Sequence, residues 1–237
     1  MRLRKNQDAC FVPCLKYREI LEYPTSCSII KMTNKRLFTI VGIKSISDVF
    51  NYGQPAMNTL VLCDLDDTVL KMPSFEGSDA WFRWQLNLIK TNASFRLGRV
   101  AVDVDHLMRQ LLAIYQNVAP VPMEGHKTTD FIAGCILTGA DLAFVTARGS
   151  ETHAATVMHI QNALGITERQ YNLILCSGQS KAEMACASID LSKYRDVIFI
   201  DDRFDNIRDV VHNLKLGDGQ NLTCFYLKHN ESTMEMP

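Results

Sequence analysis

No stretch of this sequence is apolar for the length that a membrane-spanning helix needs. A surplus of either charge is missing as well: 25 Lys and Arg stand against 26 Asp and Glu, a formal net charge of -1. That balance excludes the general attraction to nucleic acid or to an anionic membrane surface that a basic chain would have, so any affinity for phosphate must come from local groups. Paired metal-ligand spacing is absent too. The eight cysteines are scattered, and Cys10-x-x-x-Cys14, with Cys27 beyond it, has no second ligand pair at zinc spacing. Cys63 and Cys176 end apolar runs, where free thiols behave as small hydrophobes, and reduced thiols are the expected state. His153 and His159 do not share a helix face as an i, i+4 pair would, and are expected to be solvated or capping. The charged opening from Met1 to Asp8 leads into no long apolar segment, so no cleavable secretory signal is expected and the cytoplasm is the expected location. Repeats and low-complexity tracts are also missing.

What is present is a hydrophobic share of 47% in 237 residues, enough for one α/β domain with a sizeable core and an insertion. Apolar runs predict strands at 60–63, 141–146, 171–176, 196–200 and 223–227, with helices at about 128–138, 150–164, 180–189 and 204–214. A further strand is expected at Leu37-Phe38-Thr39-Ile40-Val41. A short helical piece, Ser47-Asp48-Val49-Phe50, then leads through Gly53-Gln54-Pro55 to the strand at 60. Apolar strands alternating with helices of this length predict a doubly wound, Rossmann-like, mostly parallel sheet covered on both faces. About seventy residues separate Thr68 from Asp141, more than one crossover helix requires. The surplus reads as helical around Asp79–Lys90 and Val104–Asn117, where Leu107, Leu111, Leu112 and Tyr115 make an apolar stripe. The expected layout is an N-terminal segment of unknown role over 1–42 and a core over 43–237, with a helical cap inserted over 69–127.

The most informative run is Leu60-Val61-Leu62-Cys63-Asp64-Leu65-Asp66-Asp67-Thr68, an apolar strand opening onto two carboxylates spaced i, i+2 and then a threonine. A carboxylate at the end of a buried strand is held rigidly enough to attack phosphorus, and one two residues later can exchange protons with the leaving group and with water. Alone, Asp-x-Asp is a weak signal. Three further elements follow in order: Leu142-Ala143-Phe144-Val145 ending in Thr146-Ala147-Arg148, Lys181 at a helix start after Ser177-Gly178-Gln179-Ser180, and Val197-Ile198-Phe199-Ile200 opening onto Asp201-Asp202-Arg203-Phe204-Asp205-Asn206. In a doubly wound sheet functional residues gather beyond the carboxyl ends of the strands, so Asp64, Thr146, Asp201 and Asp202 are expected to share one cleft.

This ordered set resembles the four motifs of the haloacid dehalogenase (HAD) superfamily, over roughly Leu60 to Asn213. Ile46-Ser47-Asp48-Val49 before the first motif and Gly77-Ser78-Asp79-Ala80-Trp81-Phe82 after it are similar to a bacterial HAD-like group, DUF2608, which shares a general plan with secreted effector phosphatases acting on phosphotyrosine. The resemblance implies a Mg²⁺-dependent phosphomonoesterase with an aspartyl-phosphate intermediate, in which Asp64 attacks, Asp66 serves as acid and base, Thr146 binds a phosphoryl oxygen and Lys181 offsets charge. It implies metal ligation by Asp64, the main-chain carbonyl of Asp66, and Asp202, with Asp201 competing or acting through water. It also admits export as an effector without a cleavable signal. Asn206 stands where the family often has a second acid, with Asp205 adjacent. Retention of Asp66 points to phosphate esters, since dehalogenase members lack it. The substrate that the resemblance implies is a phosphorylated small molecule or phosphoprotein; no membrane partner is expected and nucleic acid is disfavoured.

Each residue has a plainer reading. Thr146 can be an ordinary strand end, Lys181 a solvated first-turn lysine, and the acids of 201–205 helix caps. Thr68, Arg148, Trp81 and Arg203 are candidate substrate contacts. Ion-pair or surface roles compete for the two arginines, and cap packing for Trp81 with Trp84. Two other functions stay open: a polynucleotide-end or nucleotide phosphatase, which salt-sensitive binding would favour, and a non-catalytic interaction module on the same scaffold.

Overall fold

A computed structural model of the chain describes residues 28–31, 37–91 and 101–228; Cys10, Cys14, Cys27 and the tail after Lys228 lie outside them. The sheet is built from β1 (Ser28–Lys31), β2 (Leu37–Ile43), β3 (Thr59–Cys63), β6 (Asp141–Thr146), β7 (Asn172–Leu175), β8 (Asp196–Asp201) and β9 (Asn221–Leu227). A two-residue ribbon pairs β4 (Leu70–Lys71) with β5 (Val121–Pro122). The helices are α1 (Asp79–Lys90), α2 (Val104–Asn117), α3 (His126–Leu137), α4 (His153–Leu164), α5 (Lys181–Ser188) and α6 (Phe204–Asn213). Strand order in the sheet is β1-β2-β9-β8-β3-β6-β7. All neighbours are parallel except β1, which runs antiparallel to β2. The chain runs from β3 to β6 and β7 on one side, then returns to β8 on the other. Order therefore reverses at β3, the doubly wound pattern the alternation predicts.

The N-terminal boundary expected at 42/43 falls inside β2, which pairs along its length with β9. The run at 37–41 was legible as a strand, but its partner lies at the other end of the described chain. Nothing in the local pattern connects the two.

Strand β3 is buried over its whole length, and its side chains go alternately to two cores, as the period of two requires. Val61 and Cys63 pack with Phe131, Ile132 and Cys135 of α3 and Ile160 and Leu164 of α4. Leu60 and Leu62 pack with Ala182 and Ala185 of α5 and Ile207 and Val210 of α6. Strands β6 and β8 split the same way, with Phe144 and Ile200 on the α3–α4 face and Val145 and Phe199 on the α5–α6 face. This parity decides which helix each strand-end residue meets.

Between the strands of the ribbon lies the helical insertion, with a third apolar cluster of Met72, Trp81, Leu107, Leu111 and Tyr115 joined by Ala155 of α4. Ser78 caps α1 by accepting from the Trp81 N–H at 3.1 Å, and Asp103 caps α2 by accepting from the His106 N–H at 2.7 Å, each satisfying an end donor. Gly77 just before α1 has φ +83, and a Cβ there would stand 2.7 Å from Ile114 of α2. The approach of the two helices thus depends on a residue without a side chain. No helix among the described residues is long and apolar enough to cross a membrane.

Candidate active site

Asp64 follows β3 directly, and the alternation carries it to the α5–α6 face. Lys181, the first residue of α5, emerges on that face, and its Nζ lies 2.5 Å from Asp64 Oδ1 and 2.7 Å from Oδ2 of Asp201, the last residue of β8. All three are buried, with Lys181 only 5% exposed. The lysine is therefore not the solvated first-turn residue of the plainer reading. Its helix start is fixed by two groups: Ser180 Oγ accepts from the Glu183 N–H, and Asp209 of α6 accepts from Ser180 Oγ and from the Ala182 N–H. The Ser-x-x-Glu spacing of 180–183 is a legible start signal; Asp209 has none.

Oxygens of Asp64, Asp201 and Asp202 lie within 4.8 Å of one another. The two members of the β8 pair differ in how they are held. Asp201 is fully buried and accepts from Lys181, from the Arg203 N–H at 2.8 Å and from Asn206 Nδ2 at 3.0 Å to each oxygen. Among the described residues Asp202 accepts only from Thr68 Oγ1, at 3.4 Å. Thr68 is completely buried; its one proton is shared between Asp202 and Asp64 Oδ2, at 3.3 Å, while its oxygen accepts from the Asp202 N–H at 3.1 Å. Thr68 thus spaces two acids from behind, and Asn206 serves Asp201 as a donor.

Burial pushes the Asp64 carboxyl well up, Lys181 opposing and Asp201 and Asp202 adding to the rise. Asp202 is pushed up to about 7 by burial and by Asp201. Lys181, which burial alone would lower, is raised by Asp201 and Asp64. Three carboxylates around one ammonium leave an excess of negative charge in a poorly hydrated place, with hard oxygen donors suited to Mg²⁺ or a similar cation. The residues fit such an ion, with Asp64 and Asp202 holding the least committed oxygens.

Asp66 belongs to the other half of the site. The turn after Asp64 closes with the Leu70 N–H donating to the Leu65 carbonyl at 2.8 Å, through Asp67 at φ +59, a conformation that Asp tolerates better than most residues. Asp66 faces the α3–α4 side. Arg148 Nε donates to its Oδ2 at 2.9 Å and Nη2 to its Oδ1 at 2.6 Å. Thr146 Oγ1 stands 3.4 Å from Asp66 Oδ2 and accepts from the Arg148 N–H. Burial would raise the Asp66 carboxyl, but the Arg148 charge and hydrogen bonds outweigh it and hold it below the usual range.

Of the candidate substrate contacts, Arg148 is buried in the ion pair. Trp81 is buried in the insertion's cluster, with Trp84 edge-on to Phe75. Arg203 precedes α6 and lines an open cleft of about 210 Å³ with Arg83, Asp202, Phe204, Asp205 and Tyr226. His159, expected to be solvated or capping, has no exposed surface. It touches Arg148 through Nδ1 at 3.1 Å and the Tyr115 main-chain carbonyl through Nε2 at 2.7 Å. The spacing from His153 could not show this, because its partners come from the loop that precedes α4 and from the insertion. Thr156 carries no signal in the sequence, Tyr115 reads there only as part of an apolar stripe, and Asn206, standing where the family often has a second acid, turns out to be a donor to Asp201.

No curated protein sequence matches the chain. Among solved structures, the HAD domain of effector protein Lem4 from Legionella pneumophila is 13% identical, covering 76% of this chain and 90% of that one with a TM-score of 0.42. Its inactive mutant is 12% identical over 75% and 89%, also with a TM-score of 0.42. The class C acid phosphatase from Bacillus anthracis with tungstate bound is 14% identical over 80% and 73%, with a TM-score of 0.37. A family described as a protein of unknown function, DUF2608, matches residues 42–184, more than half of the sequence, and the chain belongs to that family.

Proposed function

We propose that the protein is a Mg²⁺-dependent phosphomonoester hydrolase that works through an aspartyl phosphate on Asp64, with a small or protein-borne phosphate as substrate. One observation carries the reading: a buried lysine bridges the strand-end carboxylates Asp64 and Asp201 beside Asp202, while a second acid, Asp66, stands two residues on with Thr146. A binding module has no physical use for this cluster, because buried charges cost more to desolvate than they return unless each is matched.

The bound cation would be held by Asp64, Asp202 and the Asp66 main-chain carbonyl, and would neutralise charge on the phosphoryl oxygens. The protein's residues supply the rest. Asp66, which Arg148 holds ionised at rest, takes the proton of the bound phosphate monoanion; Asp64 attacks phosphorus, and the bond to the ester oxygen breaks as the leaving oxygen takes that proton from the Asp66 carboxyl. Asp66, now ionised, takes a proton from water; that water attacks phosphorus, and the bond to Asp64 breaks to release inorganic phosphate. Lys181 lies against the Asp64 oxygen and offsets the charge that an anionic substrate brings. Thr146 offers its hydroxyl to a phosphoryl oxygen. Thr68 supports Asp64 and Asp202 from behind, so it is a positioning residue in this scheme. The α1–α2 insertion serves as the cap.

The test is mass spectrometry of the protein incubated with an aryl phosphate and quenched in acid. A phosphoryl adduct on the peptide containing Asp64, absent in Asp64→Asn, is expected. Turnover without any adduct, or an adduct elsewhere, would contradict the scheme.

A further inference from the structure

The guanidinium of Arg148 is held through all three of its nitrogens and one face. Nε and Nη2 hold the two oxygens of Asp66, and Nη1 donates to Thr156 Oγ1 and to His159 Nδ1, each at 3.1 Å. Its face covers the Tyr115 ring, with Cζ 4.3 Å from the ring centroid. Of five N–H donors, four are engaged within the protein, so the group is not arranged to receive a phosphate. The tautomer of His159 follows from this. A guanidinium only donates, so Nδ1 must accept; the ring proton therefore sits on Nε2 and is donated to the Tyr115 carbonyl at 2.7 Å. A neutral, fully buried imidazole thus joins α4 to the end of α2 and supports Arg148 from below.

Asp66 needs such support. It lies on a turn rather than in a strand, and it must present one oxygen to the leaving group and later to water with little angular freedom, because proton transfer depends on hydrogen-bond geometry. A two-point fork fixes the carboxylate plane in a way that a lysine cannot. We propose that Arg148 is the positioning residue for Asp66, and that Tyr115 of the helical insertion holds Arg148 in register, so that seating α2 on the core sets the geometry of proton transfer. The inference rests on the phosphatase reading above. It gives the insertion a part in the chemistry besides covering the site: a displaced α2 would take with it both the ring under Arg148 and the carbonyl that orients His159.

The experiment compares wild type with Arg148→Gln, Arg148→Lys and Tyr115→Leu, each checked for folding by circular dichroism. The substrates are 2,4-dinitrophenyl phosphate, whose leaving group needs no proton, and phenyl phosphate, whose leaving group does. In Arg148→Gln, dinitrophenolate should still appear in a burst of about one equivalent, because Asp64 is intact. Steady-state turnover should fall on the order of 10²- to 10³-fold, because water activation has lost its oriented base. Phenyl phosphate should lose the burst as well, with KM little changed. Arg148→Lys should behave like Arg148→Gln, and added guanidinium ion should restore part of the turnover of Arg148→Gln. Tyr115→Leu, which leaves the ion pair in place, should show the same pattern at about tenfold, and it reads the claim even if Arg148→Gln does not fold. Equal losses on both substrates with no burst, or full recovery of turnover in Arg148→Lys, would overturn the positioning role. Wild type inactive on both substrates would instead overturn the phosphatase reading on which it stands.

Discussion

Replacing Lys181 by methionine removes the one cation among the described residues that contacts both buried carboxylates, while nearly conserving side-chain volume. Its Nζ stands 2.5 Å from Asp64 and 2.7 Å from Asp201, and both acids are buried. Breaking a buried pair by deleting one partner costs about 3–5 kcal/mol, because the remaining charge keeps its desolvation penalty without its compensation. The lower end applies here for two reasons. Asp201 keeps its donors from Asn206 and the Arg203 N–H, and Asp64, already pushed up by burial, can take up a proton. With a urea dependence of about 2–3 kcal/mol per molar, the midpoint should fall by about 1–1.5 M. Far-UV circular dichroism is the suitable probe, since both tryptophans, Trp81 and Trp84, lie on α1 and their fluorescence reports on the insertion. The deficit should shrink on addition of millimolar Mg²⁺ and as the pH falls, since either neutralises the acids that lost their partner. A midpoint within about 0.3 M of wild type would show that the lysine is not the counter-ion of the cluster, and the reasoning would fail.

Other outcomes follow from the same charges. In EDTA, folded Asp64 and Asp202 hold protons at a pH where the unfolded chain has released them, so the melting temperature should rise as the pH falls from about 8 to about 6.5. Below about 6.5 the buried His159, lowered by burial and Arg148, opposes the trend, because the unfolded imidazole then binds the extra proton. Mg²⁺ should flatten the rise, whereas a melting temperature that fell over that window in EDTA would contradict the crowded-acid picture. Asp202→Asn should stabilise the cation-free protein by about 1–2 kcal/mol by relieving repulsion and should abolish the increase in melting temperature with Mg²⁺; retention of that increase would move the ligand role to Asp201. Gly77→Ala, forced to a positive φ against Ile114, should cost about 1–3 kcal/mol. Its tryptophan fluorescence transition should separate from the circular dichroism transition, and coincident transitions at the wild-type midpoint would refute the role assigned to Gly77.

Much of this site can be read along the chain because its parts are strand ends. An apolar run followed at once by Asp64, Thr146 or Asp201 announces both the burial of the strand and the position of the polar residue, and parallel order brings those residues together at the carboxyl ends of three neighbouring strands. Lys181 is readable for a similar reason, through the helix start at Ser180. What escapes is held by contacts between distant helices. Arg148 and Tyr115 are separated by an entire helix and strand, and His159, without a sequence neighbour of any chemical interest, looks like a solvated residue. The division between Asp201 and Asp202 is equally hidden, since adjacent aspartates are alike in sequence and differ in which one points to Lys181 and Asn206. In the fold itself, β2 is recognisable as a strand, whereas its pairing with β9 depends on closing the whole domain.

Hydrolysis of p-nitrophenyl phosphate by wild type and by Asp64→Asn, each with Mg²⁺ and with EDTA and each confirmed to be folded, tests the central claim most directly. The account predicts turnover with Mg²⁺ that disappears in EDTA, and a loss on the order of 10⁴-fold or more when the nucleophile becomes an amide. Turnover that survives Asp64→Asn, or that ignores EDTA, would contradict it.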